Sequence, residues 1–382
     1  MDKEALKKRI SLEYGFAVRA SEEPDGDFPV FGSNGPIGYI DSYKVKGPGV
    51  VVGRKGSVGT VTYSDKNFTP TDTAYFIKVL DKKKDDLKFW AYFLPLLKLE
   101  KLNSHSAVPG LSRELIYLIE PDIPSIDIQN SIVQVLSSID NRIELNNRIN
   151  IKLEALAKTL YDYWFIQFDF PDANGNPYKS SGGKMVYNEI LKREIPYGWK
   201  PKTLSDIANI TMGQSPPGKS YNEEGEGSIF FQGSTDFGTL FPTVRQFTNE
   251  PSRMAQKKDI LLSVRAPVGA MNIAKENCCI GRGLAALNSK TNSNSFLYYV
   301  MKYFKQIFDR RNSEGTTFGS ITKDDLYSLL LVFPDNDTLK NYDEIVESQN
   351  QMIFNLNLEN EQLSNLRDWL LPMLMNGQVT VK

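Results

Sequence analysis

One string in the chain has the spacing of a phosphate-binding loop. Residues 213–220, GQSPPGKS, fit the P-loop pattern GxxxxGK[ST], in which backbone N–H groups and a lysine hold nucleotide phosphates. Such a loop needs free N–H donors and a helix that begins directly after it. Pro216 and Pro217 remove two donors, and the sequence YNEEGEG that follows does not favour a helix. A P-loop NTPase is therefore kept only as an alternative function.

Other residue types that could do chemistry are scarce. His105 is the only histidine, and no serine or cysteine arrangement points to it. Cys278 and Cys279 are adjacent, which does not suit a mutual disulfide or a metal site, so we predict buried thiols. The nearest approach to an adenine methyltransferase motif, Asn176-Pro177-Tyr178, lacks a second proline. The sequence predicts no catalytic residue and no metal ligand.

Basic and polar residues on glycine-rich turns are the positive candidates for a binding site. Lysine and arginine can contact phosphates, and arginine can form paired hydrogen bonds with guanine in the major groove. For any single residue a solvated surface charge is the favoured interpretation, but as sets they predict DNA binding. The candidates are Lys44, Lys46, Arg54, Lys55 and Ser57 in the first part of the chain, and Arg245, Arg253, Lys257, Lys258, Arg265, Arg282, Arg310 and Arg311 in the second.

The composition is that of an ordinary folded protein. The 382 residues leave room for two or three domains, 41% are hydrophobic and 24% are charged. The net charge of −1 gives no general attraction to nucleic acid. No apolar run approaches a membrane span, and the start MDKEALKKRI lacks the apolar segment of a signal peptide, so we expect a cytoplasmic protein.

Two long helices organise the predicted fold. From Ile128 to about Phe165 no glycine or proline occurs, and apolar residues recur at steps of three and four, which predicts a helix with one narrow apolar seam. A similar pattern returns near the C-terminus, so the two helices are expected to pair. The predicted seam comprises Ile132, Leu136, Ile139, Ile143, Asn150, Leu153, Leu156 and Leu160 on the first helix, and Val346, Ile353, Asn360, Leu363, Leu366 and Leu370 on the second.

Polar and aromatic residues of these helices have two interpretations each. Asn150 and Asn360 occupy matching positions, either by chance or because a buried asparagine fixes the register of paired helices. Trp164 and Trp369, near the helix ends, are interpreted as core residues in preference to exposed anchors for a partner.

The whole chain reads as a duplication. Gly59 and Gly269 are 210 residues apart, as are Pro124 and Pro334, while Leu6 and Leu204 are 198 apart. We predict an α+β protein in which two globular α/β domains are separated by two long helices in an antiparallel coiled coil with a pseudo-two-fold repeat; parallel helices are the alternative. The predicted segments are domain 1 (1–125), a central helix (126–168), a linker (169–195), domain 2 (196–335) and a C-terminal helix (336–382).

Two related but dissimilar globules on a stiff spacer suit a ligand with two separated sites. Duplex DNA is such a ligand, and unequal globules would recognise an asymmetric, split target. A two-headed scaffold that joins protein partners without touching DNA is the competing interpretation.

Several motifs together resemble one family. They are PxxxxQxxI (Pro124, Gln129, Ile132) before the long helix, PYKSSGGKM from Pro177, EIPYGWKPKTLSDIA from Glu194 and VRAPVGAMNIA from Val264. The chain resembles the specificity subunit of type I restriction-modification systems along nearly its whole length. It departs from the family in one respect, because no IPYGW equivalent precedes Leu6.

The resemblance implies a non-catalytic subunit with two target recognition domains. It also places residues 213–220 in a loop of the second domain, where Lys219 and Ser220 would contact a DNA phosphate. The paired helices would act as a ruler between the halves of a DNA site and as the platform for two modification subunits. Those partners would bring S-adenosylmethionine and methylate adenine N6, and restriction subunits would add cleavage driven by ATP with Mg²⁺. No cofactor is expected in this chain.

Overall fold

The structure is a computed structural model that describes residues 2–18, 26–102, 110–265, 267–313 and 320–381. The chain forms two compact units. Unit 1 comprises Met1–Leu145 with Glu359–Lys382, and unit 2 comprises Asn146–Leu358. Each unit thus contains one globule and a part of each long helix, whereas the sequence analysis treated the helices as separate segments. The predicted α+β class is confirmed.

The first half of the chain is mainly β-structure followed by a long helix. Its strands are β1 (Asp2–Lys3), β2 (Ile10–Tyr14), β3 (Phe28–Gly32), β4 (Gly35–Ile40), β5 (Gly49–Gly53), β6 (Val61–Ser64), β7 (Thr69–Pro70), β8 (Ala74–Val79) and β9 (Asp122–Ile123). Its helices are α1 (Leu87–Phe93), α2 (Arg113–Tyr117) and α3 (Ile126–Tyr161), which a π-helical turn extends over Asp162–Ile166.

The second half repeats this order after a hairpin. Its strands are β10 (Met185–Asn188), β11 (Arg193–Pro196), β12 (Lys200–Thr203), β13 (Ala208–Met212), β14 (Tyr221–Asn222), β15 (Ser228–Phe231), β16 (Phe247–Thr248), β17 (Met254–Ala255), β18 (Ile260–Ser263), β19 (Met271–Ile273), β20 (Cys278–Ile280), β21 (Leu284–Ser289) and β22 (Leu330–Phe333). Its helices are α4 (Leu204–Ile207), α5 (Asn294–Ser313), α6 (Lys323–Tyr327) and α7 (Asn336–Met375). The predicted linker therefore contains the ordered hairpin β10–β11.

Unit 1 is built on an antiparallel sheet of order β2-β8-β5-β6. The β-branched run Val50–Val52 makes β5 a fully buried strand. Helix α1 begins where the Asp86 carboxylate accepts the Phe89 N–H, and it places Trp90 in the core. Leu136 of α3 and Leu374 of α7 lie in the same core. The sheet is thus covered by α1 and by parts of both long helices.

Unit 2 is built on the matching sheet, of order β13-β21-β18-β19, with α5 against it. Its core contains an aromatic group in which Phe165 lies 4.9 Å from both Phe296 and Tyr342, between ring centroids. A second sheet, β14-β16-β15-β20-β17, encloses Cys278 and Cys279, so the prediction of buried thiols is confirmed. The side chains of the helices and of the globule share one core within this unit as well.

Equivalent hydrogen bonds confirm the internal repeat. The Leu6 N–H donates to the Ile119 carbonyl at 3.0 Å, and the Leu204 N–H donates to the Leu329 carbonyl at 2.8 Å. These pairs are displaced by 198 and 210 residues, as the sequence predicts. The backbone scaffold was therefore duplicated with its hydrogen bonds.

The helices α3 and α7 pair in the antiparallel sense. In unit 1, Arg142 contacts Glu359 at 2.8 Å, and Asp140, further back along α3, contacts Arg367, further along α7, at 3.0 Å. Higher numbers on one helix thus meet lower numbers on the other, which excludes the parallel alternative.

Three predictions about the helix faces are wrong. Leu156 and Leu366 are 55% and 43% exposed, and Trp369 is 56% exposed, whereas Trp164 is buried as predicted. The inward-facing residues of α3 are spaced alternately by three and four positions. After Leu153 the next such residue is Ala157, which is buried, and not Leu156. The sequence reading chose the larger leucine over the alanine that fits the period.

Two further observations complete the fold. Within the described residues, no helix is both long and apolar enough to cross a membrane. His105 lies outside the described residues.

Candidate nucleic-acid interface

The glycine turn after β5 and after β18 has the same backbone in both units. The Gly59 N–H donates to the Gly53 carbonyl at 2.8 Å, and the Gly269 N–H donates to the Ser263 carbonyl at 2.9 Å. Gly59 and Gly269 have φ values of +81° and +85°, a conformation that side chains disfavour. Glycine at these two positions therefore fixes how the neighbouring cations are presented.

The predicted basic residues of unit 1 lie at opposite ends of β5. Lys44 and Lys46 precede the strand, while Arg54, Lys55 and Ser57 follow it. A five-residue strand separates its ends by roughly 16 Å. The structure therefore divides the predicted set and leaves Arg54, Lys55 and Ser57 together in one turn.

One end of the large sheet of unit 1 gathers aromatic and cationic side chains. Tyr14 ends β2 and pairs with Tyr75 near the start of β8. Arg54 directly follows β5, and its carbonyl accepts the Leu111 N–H at 2.9 Å, which brings the start of α2 and Arg113 to the same place. We call the residues Tyr14, Arg54, Tyr75 and Arg113 the Tyr14 edge.

Two guanidinium groups lie against one ring at the Tyr14 edge. The Arg54 and Arg113 guanidinium carbons are 4.9 and 5.2 Å from the centroid of Tyr14, whose side chain is 49% exposed. Arg54 also donates to the Asp72 carbonyl at 3.0 Å. Such stacking orients a guanidinium while leaving N–H groups available for an acceptor. The arrangement can bind an anion or a base edge.

Tyr75 supports the exposed ring from below. Its centroid is 5.2 Å from that of Tyr14, and its hydroxyl donates to the Leu111 carbonyl at 2.9 Å. Burial raises the pKa of this hydroxyl, Tyr14 raises it further, and Arg54 opposes the shift. Tyr75 therefore stays neutral and positions its neighbours.

Arg113 was missed in the sequence reading, although a signal for it exists. It lies 210 residues before Lys323, and each of these cations is followed four positions later by a tyrosine. Arg113 is 5.9 Å from the ring of Tyr117, and Lys323 is 5.0 Å from the ring of Tyr327. Comparison of the two halves of the repeat would have identified it.

The equivalent place in unit 2 has a different composition. Met212 pairs with Ala285 as Tyr14 pairs with Tyr75, and Val264 follows β18 as Arg54 follows β5. We call Met212, Val264, Ala285 and Lys323 the Met212 edge. The backbone is retained while three of the four side chains become apolar.

The predicted cations around β18 are also divided by the strand. Arg265 is exposed beside the Met212 edge, whereas Lys257 and Lys258 precede the strand at its other end. The Lys258 ammonium donates to the Gln351 side chain of α7 at 3.0 Å. Lys258 therefore contacts the helix and is not grouped with Arg265.

The remaining arginines of unit 2 are dispersed. The Nε atom of Arg245 donates to Asp236 at 2.7 Å, so its charge is compensated. Arg253, before β17, and Arg282, between β20 and β21, are exposed. The side chains of Arg310 and Arg311 lie outside the described residues.

The P-loop-like string does not form a phosphate-binding loop. Gly218–Ser220 is a single 3₁₀ turn followed by strand β14, with no helix after it. Ser220, predicted to contact DNA, is buried; its hydroxyl donates to the Pro217 carbonyl and is hydrogen bonded to Thr248, each at 2.7 Å. That prediction is wrong, because the hydroxyl holds the turn together. Lys219 remains exposed, 4.0 Å from Glu250.

Unit 2 contains a cavity of about 570 Å³ between its globule and its parts of α3 and α7. Its two lysines are already engaged, Lys302 with Glu154 and Lys258 with Gln351. Of these two lysines, only Lys302 is paired with a carboxylate, but the lining also includes Asp343 and Glu347, so the cavity does not favour a phosphate. Within the described residues, no group of three histidine, cysteine or acidic side chains is placed to hold a metal ion.

Known proteins share both the sequence pattern and the fold. The family model of the type I restriction modification DNA specificity domain matches residues 14–155 and 196–366. The putative MjaX specificity subunit of Methanocaldococcus jannaschii is 34% identical over 264 residues, covering 68% of this chain and 59% of that protein. The MjaIX specificity subunit of the same organism is 27% identical over 299 residues, covering 74% and 66%. The matched part thus spans less than two thirds of these relatives.

A solved structure has the same fold. The type I restriction-modification S subunit from M. genitalium superposes with a TM-score of 0.64 at 20% identity, covering 98% of this chain and 96% of that one.

Proposed function

The chain belongs to the type I restriction modification DNA specificity family, and from this premise we propose that it selects the DNA sequence on which a type I complex acts. One observation carries the proposal: the same sheet end has an exposed tyrosine with two arginines in unit 1, whereas in unit 2 it has buried or half-buried apolar side chains beside the exposed Arg265. Two dissimilar surfaces on one repeated scaffold suit a split, asymmetric DNA target.

The chain itself would be non-catalytic and cytoplasmic. Modification subunits would supply S-adenosylmethionine and methylate adenine N6 in the selected site, and restriction subunits would supply ATP- and Mg²⁺-dependent cleavage. The specificity subunit would position these partners and take no part in bond making. Neither the P-loop-like turn nor the cavity favours nucleotide hydrolysis as a second function.

Exposed apolar side chains on the long helices support docking of the modification subunits. Apolar side chains that a helix leaves exposed are typical of protein interfaces when they are numerous. The exposed residues are Ile128, Leu145, Leu366 and Trp369 in unit 1, and Ile151, Leu156, Ile345 and Met352 in unit 2. The predicted seam leucines Leu156 and Leu366 thus take the role of interface candidates.

The test is to assemble the full chain with its cognate modification subunits and map the methylated adenines on random duplex DNA. A two-part motif with unequal halves is expected, and it should vanish when the chain is left out. Methylation without a common motif would contradict the proposal. ATP hydrolysis by the isolated chain would favour the NTPase, and a stable complex indifferent to DNA sequence would favour the protein scaffold.

A further inference from the structure

The Tyr14 edge is not needed to form the fold. The Met212 edge has the same strand pairing. The Tyr117 hydroxyl accepts the Leu12 N–H at 2.8 Å, and its counterpart, the Tyr327 hydroxyl, donates to the Ile210 carbonyl at 3.0 Å. Yet Met212, Val264 and Ala285 suffice where unit 1 has Tyr14, Arg54 and Tyr75. The stacked arginines therefore require an explanation other than folding.

The electrostatics of the cluster favour an acceptor from outside the chain. Two permanent positive charges lie against one exposed ring, and they repel each other at this range. The one carboxylate paired with them in the described structure is that of Glu114, 3.5 Å from Nε of Arg113 and largely exposed. An electronegative ligand placed between the guanidinium groups would relieve the repulsion.

The geometry of the guanidinium group indicates which kind of acceptor it binds. A guanidinium presents parallel N–H groups, which match the O6 and N7 atoms of guanine as well as two phosphate oxygens, and contact with the Tyr14 ring restricts where these groups lie. This contact limits the direction of those groups, a constraint that base recognition needs and that contact with a mobile phosphate does not. Two arginines held against one tyrosine are therefore better suited to a base edge than to the backbone.

We propose that Arg54 and Arg113, oriented by Tyr14, determine the sequence of the half-site read by the first domain by binding the major-groove edge of guanine. The inference rests on the proposed function, because it assigns a role within DNA selection. Tyr75 is a positioning residue, and Lys323 at the Met212 edge does not contribute to the same half-site.

The experiment replaces side chains of the Tyr14 edge by those of the Met212 edge. The variant Tyr14→Met/Arg54→Val/Arg113→Lys carries the side chains that the Met212 edge tolerates, so it is expected to fold, and an unchanged thermal unfolding midpoint checks this. Assembled with the modification subunits, wild type and variant are each used to select binders from random duplex DNA. Lys323→Ala is the matched control at the corresponding place in unit 2.

The variant is expected to lose the guanine preference in one half-site, with roughly tenfold to hundredfold weaker binding to the wild-type target, and to keep the other half-site. The single variant Arg54→Lys, which keeps the charge but not the fork, should also relax that half-site. Lys323→Ala should leave it unchanged.

Two results would overturn the inference and a third would overturn its premise. The cluster would be a phosphate contact if the triple variant bound all DNA sequences equally more weakly, with a shallower salt dependence, and if Arg54→Lys retained binding. Unaltered half-sites in the variant would remove the cluster from DNA selection. If the wild-type complex itself selects no motif, the proposed function fails rather than the assignment of these residues.

Discussion

The two units differ at a place where unit 1 has a buried ion pair. In unit 1, Arg9 is buried and donates to both oxygens of Asp85, at 2.8 and 2.9 Å. Unit 2 has Ile207 and Asn292 at these two positions, because Asn292 directly precedes Ser293, which accepts the Phe296 N–H as Asp86 accepts the Phe89 N–H. The backbone is unaffected, since the Leu80 N–H donates to the Arg9 carbonyl as the Lys290 N–H donates to the Ile207 carbonyl. Repeated backbone hydrogen bonds thus carry the fold, and side chains upon them are free to diverge.

The largest expected effect comes from breaking the ion pair on one side only. Asp85→Ala leaves the Arg9 guanidinium buried without its carboxylate, which costs about 3–5 kcal/mol of unfolding free energy. Denaturant unfolding, followed by hydrogen exchange of amides in unit 1, measures the loss. Ser295→Ala is a control in unit 2 at a buried, uncharged hydroxyl, where losing its hydrogen bonds costs about 1 kcal/mol.

A double variant sharpens the same comparison. Arg9→Ile with Asp85→Asn copies the residues of unit 2 and removes both charges, and replacing a whole buried ion pair is often close to neutral. We expect it to be clearly more stable than Asp85→Ala alone. If both variants lost the same unfolding free energy, the packing of unit 1 would require the ion pair, and the residues of unit 2 could not replace it.

The glycine turns differ in what surrounds them. A methyl group at Gly59 would lie 2.8 Å from the backbone nitrogen of Glu100, whereas one at Gly269 would meet side-chain atoms of Lys305 and Phe308 at 3.3 Å. Gly269→Ala should cost about 1–2 kcal/mol of unfolding free energy, because a side chain disfavours the left-handed backbone at this position. Gly59→Ala should cost more, because the backbone nitrogen of Glu100 cannot move aside easily. Chemical denaturation of both variants tests the order, and a reversed order contradicts it.

Gln129 connects α3 to the globule of unit 1 by hydrogen bonds, at a position where unit 2 has a leucine. Its carboxamide donates to the Lys84 and Pro124 carbonyls at 3.0 and 2.9 Å and accepts the Asp86 N–H at 2.9 Å, while its counterpart is Leu339. Gln129→Leu should cost about 1–3 kcal/mol, because these backbone groups lose their partner. Leu339→Gln, the reverse change, should also destabilise by burying an amide. A neutral Gln129→Leu variant would refute the role of the carboxamide.

Features with a period or a repeat could be predicted from sequence. The long helices, their pairing and the duplication follow from apolar steps and from the 210-residue spacing of glycines and prolines. Arg54 was found by its turn, but the contacts of Arg54 and Arg113 with Tyr14 were not, since they depend on segments distant in sequence meeting at one sheet end. Ser220 was misassigned because a motif does not show that a hydroxyl is already bonded to Thr248.

The smallest effect on stability is expected from replacing Trp369, an exposed residue of α7. Trp369 is exposed on α7, and the corresponding residue of α3 is Thr159, which is also exposed and bonds its own helix at the Ala155 carbonyl. Trp369→Ala should therefore change the unfolding free energy of the free chain by less than about 0.5 kcal/mol, whereas Trp164→Ala in the core should cost about 3–5 kcal/mol.

A tryptophan that contributes nothing to the free chain has a different use, because large exposed aromatic side chains are favoured as anchors in protein interfaces. Trp369→Ala should then weaken binding of a modification subunit at least tenfold in calorimetry, with Thr159→Ala as the matched control that leaves it unchanged. If Trp369→Ala instead lowered stability as Trp164→Ala does, its side chain would be part of the core, and the proposed docking surface would lose its aromatic anchor.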